Sequence, residues 1–88
     1  MNYLLVRHRV ADFFRWKAIF HSYAKAQRQA GLRALHIWRN VDESNEVFVL
    51  LEVADLKKAK DFVTSPDVPN AQNTSGVLGQ PDVYFLME

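Results

Sequence analysis

The stretch Glu46-Val47-Phe48-Val49-Leu50-Leu51-Glu52-Val53 decides the fold. Its β-branched and aromatic residues make it a strand, and its two parities carry the information. Val47, Val49, Leu51 and Val53 share one parity, while Phe48 and Leu50 share the other with Glu52. A strand whose sheet has one solvated face alternates apolar with polar residues. This strand is apolar on both sides for most of its length, so both faces of its sheet need a cover.

Working outward, Leu32–Asn40 (LRALHIWRN) also alternates, and the polar stretch 40–45 joins it to Glu46–Val53 as a hairpin. Upstream, Asp12 is a good N-cap for a helix over Phe13–Ala30. Its buried stripe falls on Phe13, Trp16, Phe20, Tyr23 or Ala24, and Gln27, and Gly31 follows as a terminator. Tyr3–Val10 (YLLVRHRV) reads as a strand before it. Downstream, Asp55 caps a helix over Leu56–Thr64 with Leu56, Ala59, Phe62 and Val63 inward, and Ser65-Pro66 stops it. A short helix from Asp67 to about Gly76 is expected next, then a turn at Gly79-Gln80-Pro81-Asp82 and a closing strand, Val83–Met87.

The order is β-α-β-β-α-β, a ferredoxin-like α+β arrangement in a single domain spanning 1–88. Right-handed helical crossovers give an antiparallel four-stranded sheet of order 4-1-3-2 with both helices on one face. The first and last strands are also apolar on both parities: Leu4 and Val6 against Tyr3 and Leu5, and Val83, Phe85 and Met87 against Tyr84 and Leu86. Two helices cover one face only. A copy of the same sheet is the economical cover for the other, which makes a homodimer the expected assembly.

Composition agrees. The chain has 88 residues, 49% hydrophobic and 24% charged, which suits one folded domain. Ordering it costs on the order of 130 kcal/mol, which apolar burial must match almost completely, so a lone copy is marginal. There is no cysteine, which excludes thiolate nucleophiles, Cys-ligated metals and disulfides. Three glycines, at 31, 76 and 79, make neither a dinucleotide fingerprint nor a P-loop. The longest apolar run, Val47–Leu51, is far too short for a membrane span. The opening residues carry no signal-peptide pattern, so the expected location is cytoplasmic. Residues 1–40 hold eight Lys/Arg and one acid, and residues 41–88 hold three Lys and nine acids. Interleaved in one sheet, these halves place opposite charges side by side, and a nucleic-acid surface is not expected.

The whole chain resembles a known family. The opening V-R-H-R-V before Asp12 and Trp16, the Asn45–Glu52 segment and Asp55-Leu56 carry the resemblance. Ser65-Pro66-Asp67 and Gly76-Val77-x-Gly79-x-Pro81 before Phe85-Leu86 add to it. These are similar to the dimeric α/β-barrel superfamily, close to small antibiotic-biosynthesis-monooxygenase and cyclase-like proteins. The resemblance implies a homodimer whose two sheets form a barrel, with small ligands held between each sheet and its helices. Members include cofactor-free oxygenases of phenolic or quinone-like compounds, polyketide cyclases, lactone isomerases and haem-degrading enzymes. The haem-degrading branch uses an Asn on the first strand, a Trp on the third and a His on the second helix. Here the Asn position holds Val6, no Trp lies in 46–53 and no His in 56–65, so that activity is not expected.

Among the residues themselves, His8 stands on the parity of Leu4, Val6 and Val10. It reads either as a general acid/base, since imidazole titrates near neutrality, or as a buried core histidine. Trp16, Phe20 and Tyr23 read as core or as the wall of a pocket for a flat substrate, with Val6 on its floor. His21 sits on a helix flank and His36 on the edge strand, too far from His8 to share a metal, and no metal site is expected. Arg7 and Arg9 lie on the parity opposite His8. Trp38 belongs to edge-strand packing or to a stacked ligand, and Asn70, Gln72, Asn73 and Thr74 to a polar lip or a solvated loop. The expected function is a cofactor-free oxygenase, cyclase or isomerase acting on an apolar aromatic or polyketide-like substrate, with His8 catalytic. The alternative is a non-catalytic ligand-binding or regulatory dimer. An RNA-binding use of the same topology is disfavoured, because Glu46–Leu51 lacks the required basic, glycine and aromatic positions.

Overall fold

The computed structural model describes residues 1–64 and 76–88. The elements run β1 (Asn2–Val10), α1 (Phe13–Ser22), α2 (Ala24–Gln29), β2 (Leu32–Arg39), β3 (Glu46–Val53), α3 (Leu56–Val63) and β4 (Val77–Met87). The sheet is antiparallel with order β2-β3-β1-β4, so β1 and β3 are central, as the pattern of apolar residues requires. The expected short helix from Asp67 and the polar lip lie outside the described residues.

The starts of α1 and α3 follow from their caps. The Asp12 carboxylate accepts from the Arg15 N–H at 3.2 Å and the Asp55 carboxylate from the Lys58 N–H at 3.0 Å. The expected single helix over 13–30 is two helices joined at Tyr23. The reason lies one residue earlier. The Ser22 hydroxyl donates back to the Ile19 carbonyl, and the Tyr23 N–H bonds to Phe20 O at 3.1 Å in a tightened last turn. Gly31 ends the helical segment with φ +76, and a Cβ there would stand 3.1 Å from the Asp55 amide nitrogen.

The turn expected at 79–82 is absorbed into β4, which is 11 residues long. Arg7 pairs with Asp82 and Arg9 with Leu78, so β1 advances 9 − 7 = 2 residues while β4 advances 82 − 78 = 4. The two extra residues form a bulge around Gly79 (φ +71) and Pro81, which has no N–H to give to a ladder.

The core lies between the sheet and the helices. Leu4, Val10, Val47, Val49, Leu51 and Val53 pack with Phe13, Trp16, Ala30, Leu32 and Ala59. Even positions of β1 and odd positions of β3 therefore face the helices. The other face carries Leu5, Leu50 and Tyr84 in one cross-strand row, and Phe48 with Trp38 in the next. Trp38, Tyr84 and Leu86 are 47%, 50% and 44% exposed there. One end of this face is polar. Arg7 bonds Glu46 and Asp82, both at 2.8 Å, and the Asn40 amide donates to Glu46 at 3.2 Å.

Candidate functional site

His8 lies toward the C-terminal end of β1, a strand with a neighbour on each side. It pairs with Val47 of β3, while the β4 bulge lies opposite it on the other side. Bulges of this kind re-aim side chains. The imidazole points into the helix layer and is 8% exposed. It meets the Trp16 indole edge-on, with centroids 5.1 Å apart. Trp16 stacks on Phe20 at 5.1 Å and 25°, and tilts against Phe13 at 5.9 Å. The 3,4 spacing on α1 thus builds one aromatic wall beside the imidazole.

Neither ring nitrogen of His8 has a hydrogen-bond partner among the described residues. Such groups are uncommon in folded proteins, because leaving a buried polar atom unpaired costs about 1–3 kcal/mol. Burial lowers the His8 pKa from 6.5 to about 4. The ring is therefore neutral at pH 7, with one nitrogen able to accept and the other to donate.

Val6 stands two residues before His8 on the same face and pairs with Val83 of β4. Although β1 is central, Val6 is only half-buried, and Val83 is 40% exposed. The helices do not close fully over this part of the sheet. Phe20 of α1 and Phe62 and Val63 of α3 are, like Val6, partly buried and packed against the core. The structure thus brings together His8, Trp16 and Phe20, with Val6 on the same face. Tyr23 sits apart, at the joint between α1 and α2, 37% exposed and without ring contact to the others among the described residues.

The remaining sequence candidates lie elsewhere. Arg7 and Arg9 face away from the helices, opposite His8 as their parity requires. His36 stacks on Trp38 at 4.8 Å and 15° on that same far face. His21 is exposed, 5.9 Å from Phe20. Among the described residues no group of three His, Cys, Asp or Glu side chains could hold a metal. The Arg7–Glu46–Asp82 bridge is one instance of the opposite charges expected side by side from the two halves, though the individual partners had no signal. Arg39, whose guanidinium lies 4.0 Å over the Phe13 ring, had none at all, because it joins residues far apart in the chain, where periodicity carries no information.

No family model matches the chain, and no match is found among curated proteins. Solved structures do match over its whole length. One is a candidate antibiotic biosynthesis monooxygenase from Bordetella bronchiseptica, 12% identical, with TM-score 0.78 over 99% of this chain and 95% of that one. Another is SnoaB, a cofactor-independent oxygenase from Streptomyces nogalater, 14% identical, with TM-score 0.73 over 99% and 91%. A third is a NIPSNAP domain protein from Burkholderia xenovorans, 12% identical, with TM-score 0.64 over 100% and 94%. The chain has the ferredoxin-like fold of the antibiotic-biosynthesis-monooxygenase-like structures. At these identities the likeness concerns the fold, on which many chemistries occur.

Proposed function

We propose that the chain is a small-molecule enzyme of the dimeric α/β-barrel type. It acts as a cofactor-free oxygenase, cyclase or isomerase on an apolar aromatic or polyketide-like substrate bound between sheet and helices. One observation carries this reading: a neutral, nine-tenths buried imidazole with both nitrogens unpaired among the described residues, set against an aromatic wall. Similarity of fold to a cofactor-independent oxygenase supports it.

In this reading Val6, Trp16 and Phe20 bind the substrate, Tyr23 stands too far from them to share in it, and His8 accepts a proton from an acidic O–H or C–H. The electron pair left behind spreads over the conjugated substrate. The anion then adds to dioxygen, closes on an internal carbonyl, or takes its proton back at another carbon. With a pKa of about 4, His8 is a weak base. Taking a proton from a phenol-like group near 10 is uphill by roughly 8 kcal/mol, unless the new ion pair in a low-dielectric site offsets it. The site therefore suits the more acidic members of the class, whose anions are widely delocalised.

A second copy covers the open sheet face. Its apolar rows around Leu5, Phe48, Leu50 and Tyr84 support this. The face also carries Glu46, Glu52, Asp82 and Glu88, and Arg7 and Arg33 are engaged by acids, so it suits a phosphate backbone poorly. Among the described residues no helix is long and apolar enough to cross a membrane. The cytoplasm is the compartment this reading assumes.

The test is His8→Ala, assayed against a panel of aromatic and polyketide-like enols with oxygen uptake and product mass as readouts. Turnover by the parent and its loss in a folded variant supports the reading. Binding without turnover by the parent points instead to a ligand-binding dimer, and unchanged turnover in the variant removes His8 from the chemistry.

A further inference from the structure

His8, Val47 and Arg39 occupy one row across β1, β3 and β2 on the helix face. Arg39, at the edge of the sheet, lies with its guanidinium carbon 4.0 Å from the Phe13 ring centroid and 5.7 Å from that of Phe14. Its Nε donates to the Ser44 carbonyl at 2.8 Å, so one side of the planar group is tied to the β2–β3 loop while its face lies on the ring. That loop is itself braced. The Asn40 side-chain oxygen accepts from the Asp42 N–H at 2.8 Å, and the Val10 N–H donates to Asn45 O at 2.9 Å. Arg39 is therefore held from behind, and what it holds is the first residue of α1.

The contacts continue inward without a break. Phe13 lies 5.9 Å from Trp16, and Trp16 lies 5.1 Å from His8. Helix ends fray unless something fixes them, and α1 presents its aromatic wall from its first two turns. Phe14, beside Phe13, is 73% exposed and gives the helix start little anchorage of its own. The guanidinium thus closes the outer side of Phe13, whose inner side packs in the core and whose helix start Asp12 caps.

We propose that Arg39 is a positioning residue for His8: by pinning Phe13 it holds the Trp16 indole against the imidazole and keeps water away from the ring. The inference rests on the reading of His8 as the working group of the site. It requires that nothing nearer sets the environment of His8, and the neighbours agree. Val6 and Val10 on β1, Val47 and Val49 on β3, Val77 and Val83 on β4, Trp16 and Phe20 on α1, and Ala59, Phe62 and Val63 on α3 are uncharged. Among the described residues Arg39 is the charged group in this row.

The test follows the His8 ring protons by NMR through a pH titration of the full chain without ligand. The variants are Arg39→Met, Arg39→Lys and Phe13→Leu, and backbone spectra establish that each is folded. With Arg39→Met, water gains access and His8 is expected to titrate about 0.5–1 pH unit higher than in the parent. Arg39→Lys keeps the charge but loses the flat face and the Nε bond, so it is expected to shift like the methionine variant. Adding Arg39→Met to Phe13→Leu is expected to shift nothing further. Unchanged titration in Arg39→Met overturns the proposal. Parent-like titration in Arg39→Lys also overturns it, since charge alone then suffices. Additive shifts in the double variant would place the route outside Phe13. Should Arg39→Met not fold, Arg39→Gln gives the same comparison. No substrate enters these measurements, so their failure leaves the His8→Ala turnover assay to decide the function by itself.

Discussion

Leu50 and Leu51 are neighbours on β3 and belong to different surroundings. Leu51 is 4% exposed among the helices, whereas Leu50 lies on the open face between Leu5 and His36. Both parities of this strand are apolar, so the residues alone do not say which leucine lies on the open face. The structure places Leu50 there, where the proposed second copy would sit.

Leu50→Lys is expected to leave the chain folded and to shift it from dimer to monomer. Light scattering checks this, with the parent at twice 10.2 kDa and the variant at 10.2 kDa. Leu51→Lys instead buries an unpaired charge, at a cost of more than about 3 kcal/mol, and is expected to unfold the domain. A folded monomeric parent at micromolar concentration would remove the seam altogether.

Acid should expose His8 through stability. Its folded pKa, about 4, lies below the unfolded 6.5. Above pH 6.5 neither state holds the proton, and the group is silent. Between 6.5 and 4 the unfolded state takes up a proton that the native state refuses, so stability falls, by up to about 3 kcal/mol at the acid end. Urea denaturation across that window is expected to show this slope in the parent and to lack it in His8→Phe. A slope of equal size in both would place its origin elsewhere.

Glu46 works in a different range. The Arg7 guanidinium, then the Asn40 amide, hold its carboxyl below the ordinary value of 4.5. Its stabilising contribution is present above that value and fades as pH falls through the lowered one. Carboxyl NMR titration of Arg7→Met is expected to return Glu46 toward the ordinary range. A Glu46 that titrates as in the parent would mean that Arg7 does not set it.

The glycines offer a graded comparison. At Gly31 an added Cβ meets the Asp55 backbone at 3.1 Å as well as adopting φ +76, whereas at Gly79 it meets nothing within 4 Å. Gly79→Ala is expected to cost about 1–2 kcal/mol from its left-handed backbone alone, and Gly31→Ala more. Thermal unfolding should rank them in that order.

Much of the fold could be read before the structure. Asp12 and Asp55 announce both helix starts, Gly31 ends the first helical segment, and Glu46–Val53 has the predicted bounds. The misses have local causes. The break at Tyr23 comes from the Ser22 hydroxyl competing for a helix carbonyl, a choice that residue makes only in some contexts. Gly79 and Pro81 have the chemistry of a turn, and only pairing with β1 reveals them as a bulge. In the site, the Phe13–Trp16–Phe20 wall follows from helical spacing, and the parity of His8 matches that of Val6. The hold of Arg39 on Phe13 follows from neither, because it links residues on different elements 39 − 13 = 26 positions apart.

The position of β1 between β3 and β4 has a consequence for synthesis and folding. Of the strands of this sheet the earliest made, β1, is central, yet its neighbour on one side is the latest, β4, with Arg7 bonded to Asp82 across 75 positions. Until β4 arrives, β1 presents a row of unpaired backbone groups beside an apolar face, which is the template on which chains add to one another. Pairing at such separation is also slow, because the intervening loop must close before any contact rewards it. Nascent or refolding chains are therefore most exposed to misassociation late, after β1, β2 and β3 have met and before the C-terminal strand docks. Chains shortened within β4 should aggregate rather than merely lose stability.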